Sequence, residues 1–122
     1  MGPRYHAFMD GIAWAASAMV AARTRLEIAT ENLANVSSDG FRRIAARGFL
    51  TALGVAIVPQ RYNALREVPN RTLDGLHVSN GVDAISEMID VLAAERSFES
   101  AQKAVTAIDV SRQKAAEAAR IQ

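Results

Sequence analysis

The chain has 122 residues, 50% of them hydrophobic and 22% charged, with a formal net charge of +1 and no cysteine. That length allows one compact or elongated domain and not several layers of core, and the lack of cysteine removes disulfides and thiolate metal sites. A thinly spread charge argues against nucleic acid as a partner, and no uninterrupted apolar run approaches the roughly 20 residues needed to span a bilayer as a helix.

Residues 1–7 contain Gly2 and Pro3 and are expected to fray. They lack a basic segment followed by a continuous apolar core and a small-residue cleavage site, so any export is expected to proceed without a conventional cleaved signal. A helix is predicted from about Phe8 to about Asn35, roughly 42 Å at 1.5 Å per residue. Ile12, Met19, Leu26 and Leu33 fall one heptad apart, with Ala15, Ala22, Ala29 and Val36 three residues after each. Such a narrow apolar seam calls for a partner helix, and its alanines let two backbones approach closely. Trp14 stands off this seam, where an indole needs a cover from elsewhere. The helix end is marked by Asn35, Ser37, Ser38, Asp39 and Gly40, residues that compete with the helical ladder or accept positive φ. At Gly40 a positive φ would let the chain leave the helix while Phe41 turns back onto it.

From Phe41 to Asn80 glycine and proline punctuate the chain at Gly48, Gly54, Pro59, Pro69 and Gly75. Residues 44–80 therefore read as a linker. Residues 53–58 form a short β-prone run ended by Pro59, and residues 61–68 are a second extended candidate, which together suggest a small hairpin. The cluster Arg42, Arg43 and Arg47 is the one locally basic feature, suited to a solvated edge or to carboxylates of a neighbour.

Asp83 is the expected N-cap of a second helix running to Ile121, on the order of 58 Å long. That is several times the average helix of about 11 to 12 residues, more than this short chain can cover by itself. Val91, Phe98 and Val105 share one heptad position, with Ala94, Ala101, Ile108 and Ala115 three residues on. Glu87 and Arg112 interrupt the seam near either end, while Ile85, Met88, Ile89 and Leu92 widen the apolar face at the start, as in a helix touching more than one neighbour. Asp83, Glu87, Asp90, Glu95 and Glu99 are expected to form an exposed face with Arg96 and Lys103, Glu95 and Glu99 pairing with them at helical spacing.

Catalytic inventory is missing. His6 and His77 have no carboxylate or histidine beside them at a metal-ligand spacing, Ser37 and Ser38 next to Asp39 read as turn chemistry, and the glycines form neither a phosphate cradle nor a dinucleotide fingerprint. Neither cofactor nor metal nor small-molecule substrate is expected.

The segment Asn32-Leu33-Ala34-Asn35-Val36-Ser37-Ser38-Asp39-Gly40-Phe41-Arg42 resembles the motif that ends the opening helix of the rod and hook family of the bacterial flagellar basal body, with Ser38 in place of a threonine. Ser17-Ala18-Met19 and Arg23-Thr24-Arg25-Leu26-Glu27 resemble the same opening helix. Val82-Asp83-Ala84-Ile85-Ser86-Glu87-Met88-Ile89 and Glu95-Arg96-Ser97-Phe98-Glu99 are similar to the family's closing helix, with Gly81 where asparagine is frequent. Finding both in this order at opposite ends is specific. In length the chain resembles the short proximal-rod members of type C, and in its closing Arg-Ser-Phe-Glu those of type F.

The resemblance implies a mainly α fold: long N- and C-terminal helices packed as an antiparallel coiled coil, with an irregular or hairpin linker, divided as residues 1–43, 44–80 and 81–122. It implies a structural rod subunit that is exported through the flagellar type III apparatus and polymerises into the axial tube, in the periplasm, with copies of itself and other axial proteins as partners. Ile12, Met19, Leu26, Leu33, Val91, Phe98, Val105 and Ile108 would then form the assembly seam, and Asn32, Leu33, Ala34, Asn35, Gly40 and Phe41 the family motif. A free-standing helical adaptor or chaperone that binds a partner helix in its own groove explains the seams but not the paired terminal motifs.

Overall fold

Two long helices, α1 (Arg4–Ala34) and α2 (Ala84–Arg120), flank a two-stranded hairpin of β1 (Ile44–Thr51) and β2 (Gly54–Arg61). The structure is a computed structural model that describes residues 4–61 and 82–121, with side chains from Gly11 onward. The candidates Tyr62, Pro69, Gly75, His77, Asn80 and Gly81, the side chains of Tyr5 and His6, and most of the proposed second extended piece lie outside the described residues.

α1 begins at Arg4, four residues before the expected Phe8, because nothing between the two breaks a helix. α2 starts where the sequence signals it. Asp83 is extended (φ −102°, ψ 113°) and its carboxylate accepts from the Ile85 amide at 3.2 Å and from the Ser86 hydroxyl at 2.8 Å, satisfying otherwise orphaned donors of the first turn.

The helices pack against each other and run antiparallel. A Cβ on Gly11 would lie 3.6 Å from the Ile108 side chain, and Asn32 meets Glu87 at the other end. The 21-residue step from Gly11 to Asn32 is thus mirrored by the 21-residue step from Ile108 back to Glu87, a contact line of about 31 Å. Along α2 the buried residues are Glu87, Ala94 and Ala101, one heptad apart. Among the described side chains of α1 they are Ala21, Ala22, Ile28, Ala29 and Asn32. With Ile44, these make a core in which alanine dominates. From Asp109 to Ile121 every residue of the chain is exposed.

The hairpin departs from its expected place. β2 takes in the predicted run from Gly54 on, leaving Leu53 in the turn, but continues through Pro59 to Arg61, and its partner is the preceding segment, paired antiparallel from Ile44↔Arg61 to Thr51↔Gly54. Pro59 is tolerated because a two-stranded sheet leaves each strand one unpaired edge, where a missing N–H costs no ladder bond. The turn at residues 52–53 has no positive φ at either residue. Thr51 closes it instead, its hydroxyl donating to the Gly54 carbonyl at 2.9 Å and accepting from the Leu53 amide at 3.3 Å.

The hairpin lies along α1 and not α2. At its tip, Ser17 Oγ donates to the Trp14 carbonyl at 2.7 Å and accepts from the Val55 amide at 3.1 Å, so one hydroxyl bridges helix and strand. Gly54 makes this approach feasible. Its φ of +134° is one that side chains rarely adopt, and a Cβ there would overlap Ser17 Oγ and lie 2.7 Å from Ser17 Cβ. Gly54→Val is therefore expected to cost about 2 to 4 kcal/mol from backbone strain and overlap together. Chemical denaturation measures the loss, and faster hydrogen exchange at the Val55 amide would localise it to the hairpin tip.

Candidate functional site

Among the described residues the most buried side chains are polar. Asn32 is 0% and Glu87 1% exposed, and burial on this scale is tolerated only when every polar atom is partnered. Among the described residues no buried side-chain nitrogen or oxygen lacks a hydrogen bond. Asn32 Nδ2 donates to the Ile44 carbonyl at 2.8 Å, and the Ile44 amide donates to Asn32 Oδ1 at 2.8 Å. The side-chain amide thus presents both halves of a peptide group to the first residue of β1, as a neighbouring strand would.

The second Nδ2 hydrogen goes to Glu87. Asn32 Nδ2 donates to Glu87 Oε2 at 3.3 Å, and Arg43 Nε donates to Glu87 Oε1 at 2.6 Å. Arg43 also approaches Asp90 Oδ2 at 3.7 Å. One cluster therefore joins the end of α1, the start of β1 and the first turns of α2. Glu87 is not part of an exposed acidic face, as its first-turn position suggested; it occupies the α2 seam one heptad before Ala94, turned into the protein. The signal was available in the sequence as an acid interrupting an apolar seam, and its partners Asn32 and Arg43 were not.

The turn between α1 and β1 uses the rest of the motif. Asn35 Nδ2 donates to the Glu31 carbonyl at 2.8 Å and Asn35 Oδ1 accepts from Ser38 Oγ at 3.2 Å, closing the helix end on itself. The two asparagines thus differ: Asn35 satisfies its own helix and Asn32 reaches across. Gly40 has φ +73° with nothing within 4 Å of a built Cβ, so it is needed for conformation and not for space. Phe41 is half-buried, its amide donates to the Ser38 carbonyl at 3.3 Å, and Arg61 lies over its ring at 5.8 Å. Arg61 also pairs with Glu31 at 3.4 Å, tying the base of β2 to α1. Leu33 is half-buried and Ala34 exposed.

Ile12, Met19, Leu26, Leu33, Val91, Phe98, Val105 and Ile108 are all half-buried, while the deepest seam positions belong to the alanines. Arg112 and Ala115 are exposed. Trp14 is 45% exposed beside the hairpin tip. Glu95 and Glu99 make no ion pair with Arg96 or Lys103; the ion pairs among the described residues are elsewhere.

A cleft of about 350 Å³ opens between α1, the hairpin root and α2. Its charged lining balances Arg25 and Arg43 against Glu87 and Asp90, so it presents no surplus of either sign. Among the described residues no group of acids and histidines is spaced to hold a metal, and no helix is long and apolar enough to cross a membrane.

Residues 12–42 match the family model described as flagella basal body rod protein, and residues 79–118 match that for the flagellar basal body rod FlgEFG protein C-terminal region. Together the two matches take in more than half of the chain. No curated protein matches it. Asn32 lies in the first matched segment and Glu87 in the second, so the buried cluster joins the two.

Two outcomes test this geometry. Asn32→Ala would leave the Ile44 amide and carbonyl and one Glu87 oxygen without their donor or acceptor, a loss of about 2 to 4 kcal/mol. Asn32→Asp, which sets a second carboxylate against Glu87, is expected to cost at least as much; denaturation midpoints of the two variants decide. At Gly40, valine should cost about 1 to 2 kcal/mol and asparagine, which tolerates positive φ, less than half of that. Equal losses in both would contradict a purely conformational role.

Proposed function

The chain belongs to the rod and hook protein family of the bacterial flagellar basal body, and we propose that it is a subunit of the rod that polymerises through α1 and α2 into the axial tube. The family's rod components are structural. The observation that carries the reading is incomplete burial along two helices that are nonetheless closely packed. Every residue assigned to the seam keeps part of its surface exposed, and the 13 residues from Asp109 to Ile121 are all exposed. Other subunits would supply it.

The same economy suits passage through the type III export apparatus. Five of the seven buried apolar residues among the described ones are alanines, and so small a core contributes little stability per residue. A subunit of this kind unfolds at low cost, crosses as an extended chain, and gains its remaining burial from neighbours once placed in the periplasmic rod. Torque would then pass through helix-on-helix contacts, with no catalytic step and no cofactor.

An adaptor or chaperone that grips a partner helix between α1 and α2 is disfavoured by the packing. Ala22 and Ala29 of α1 and Ala94 and Ala101 of α2 are buried where such a groove would have to open.

Leu26→Asp and Val105→Asp each place a carboxylate at a half-buried seam position, at a cost of several kcal/mol once neighbours surround it. In a strain lacking the native gene, both variants should abolish swimming while the subunit is still exported. Isolated basal bodies from the complemented strain should contain the native chain and lack both variants. Normal swimming by both, or absence of the native chain from the basal body, would overturn the reading.

A further inference from the structure

The first turns of α2 expose a broad apolar stripe: Ile85 at 70%, Met88 at 52%, Ile89 at 60% and Leu92 at 56%. Their spacing places them on one helix face, and at about 100° per residue that face points some 140° away from Glu87 and the α1 contact. The chain's own hairpin, which lies along α1, cannot reach it. Contiguous exposure of four large side chains is uncommon on a subunit that stays alone.

The stripe runs into acids. Glu95 and Glu99 continue the same face and make no ion pair among the described residues. Residues 83–99 hold five carboxylates against the single Arg96. The hairpin has the opposite balance: residues 44–61 hold two arginines, Arg47 and Arg61, and no acid. By the strand register, Arg47 stands opposite Val58 and one pleat from Phe49, all three on one exposed face, with the guanidinium 5.2 Å from the Phe49 ring centre. Arg47 too makes no ion pair among the described residues.

We propose that the outward face of the hairpin docks on the α2 stripe of a second copy of this chain, Phe49 and Val58 covering the apolar turns and Arg47 meeting Glu95 or Glu99. The two surfaces are of opposite charge, are both apolar at their centres, and agree in length: eight strand residues span about 26 Å, and residues 85–99 of a helix about 22 Å. Because the two surfaces differ, the contact is head-to-tail and propagates from copy to copy, as an open helical assembly requires. This deepens the rod reading and rests on it only for where the contact forms.

The absence of cysteine allows a direct test on the purified full chain. Val58→Cys and Ile89→Cys variants, mixed and mildly oxidised, should give a mixed disulfide. Val58→Cys mixed with Ser97→Cys, on the cleft-lining face of α2, should not. Adding Arg47→Glu to the first variant should lower the yield about three- to tenfold. Glu95→Arg with Glu99→Arg on the second should restore it. Equal yields with the Ser97 control, or no response to the charge reversals, would overturn the contact. So would a subunit carrying both Val58→Cys and Ile89→Cys that, in isolated basal bodies, links only to a different protein. A rod reading that fails separately would show as a mixed disulfide formed in solution by a chain whose Leu26→Asp variant still swims.

Discussion

The side-chain amide of Asn32, pairing with the backbone of Ile44 on one side and with Glu87 on the other, is the interaction on which the arrangement of this chain depends. It does three things. It ends the packed part of α1 by handing the backbone over to β1, it ties β1 to the helix, and it holds α2 against both through a carboxylate that Arg43 neutralises. Burying an ion pair is by itself a weak source of stability, because desolvation offsets most of the Coulomb attraction. Its stronger effect here is on register. The contact between α1 and α2 is made largely by alanines, and alanine distinguishes poorly between alignments shifted by a heptad. A slip of seven residues would leave Ala22, Ala29, Ala94 and Ala101 packed on similar neighbours but would strip Glu87 of every partner. A single polar pair in an apolar seam commonly sets alignment in this way.

The hairpin follows from that anchor and from a second one. Asn32 holds its base, Arg61 reinforces the base through Glu31 and Phe41, and Ser17 with Gly54 holds its tip. An isolated two-stranded ribbon is marginal in water; strapped at both ends to a helix, it has a fixed orientation. That orientation leaves Arg47, Phe49 and Val58 outward, just as the antiparallel packing leaves Ile85, Met88, Ile89 and Leu92 outward on α2. The internal contacts thus decide which surfaces remain for other molecules. They are spent sparingly: small residues close the interior, and large apolar ones remain exposed, the inverse of what a stable monomer would do. A subunit built for assembly would be built this way, since burial withheld from the monomer becomes available to the polymer.

Much of the fold was legible in the residues because the signals concerned are local. Asp83 caps α2, Gly40 takes positive φ, and the α1 helix stops at the Asn-Val-Ser-Ser-Asp-Gly run, each for reasons contained within a turn or two of chain. The heptad spacing of Ala94 and Ala101 likewise told which stripe of α2 would be buried, since a helical face is set by its own 3.6-residue period. The two terminal motifs marked the family for the same reason: each is a contiguous run of side chains.

What the tertiary structure decided were the pairings of residues far apart in the chain. Residues 44–51, with Gly48, two alanines and no clean alternation, carry little strand signal; they extend because Asn32 presents a peptide-like edge to Ile44 and β2 supplies the ladder. The turn at residues 52–53 lacks the glycine or asparagine that usually announces a hairpin, since the Thr51 hydroxyl and the φ of Gly54 do that work. Glu87 looked like an ordinary first-turn acid with a place on a solvated face. Whether it faces water or the interior depends on Asn32, 55 residues away, and on Arg43, 44 residues away. Sequence by itself determined the elements and their ends, because backbone propensity and capping are short-range; only the fold determined which polar group is buried, because a buried charge needs partners that no local window contains.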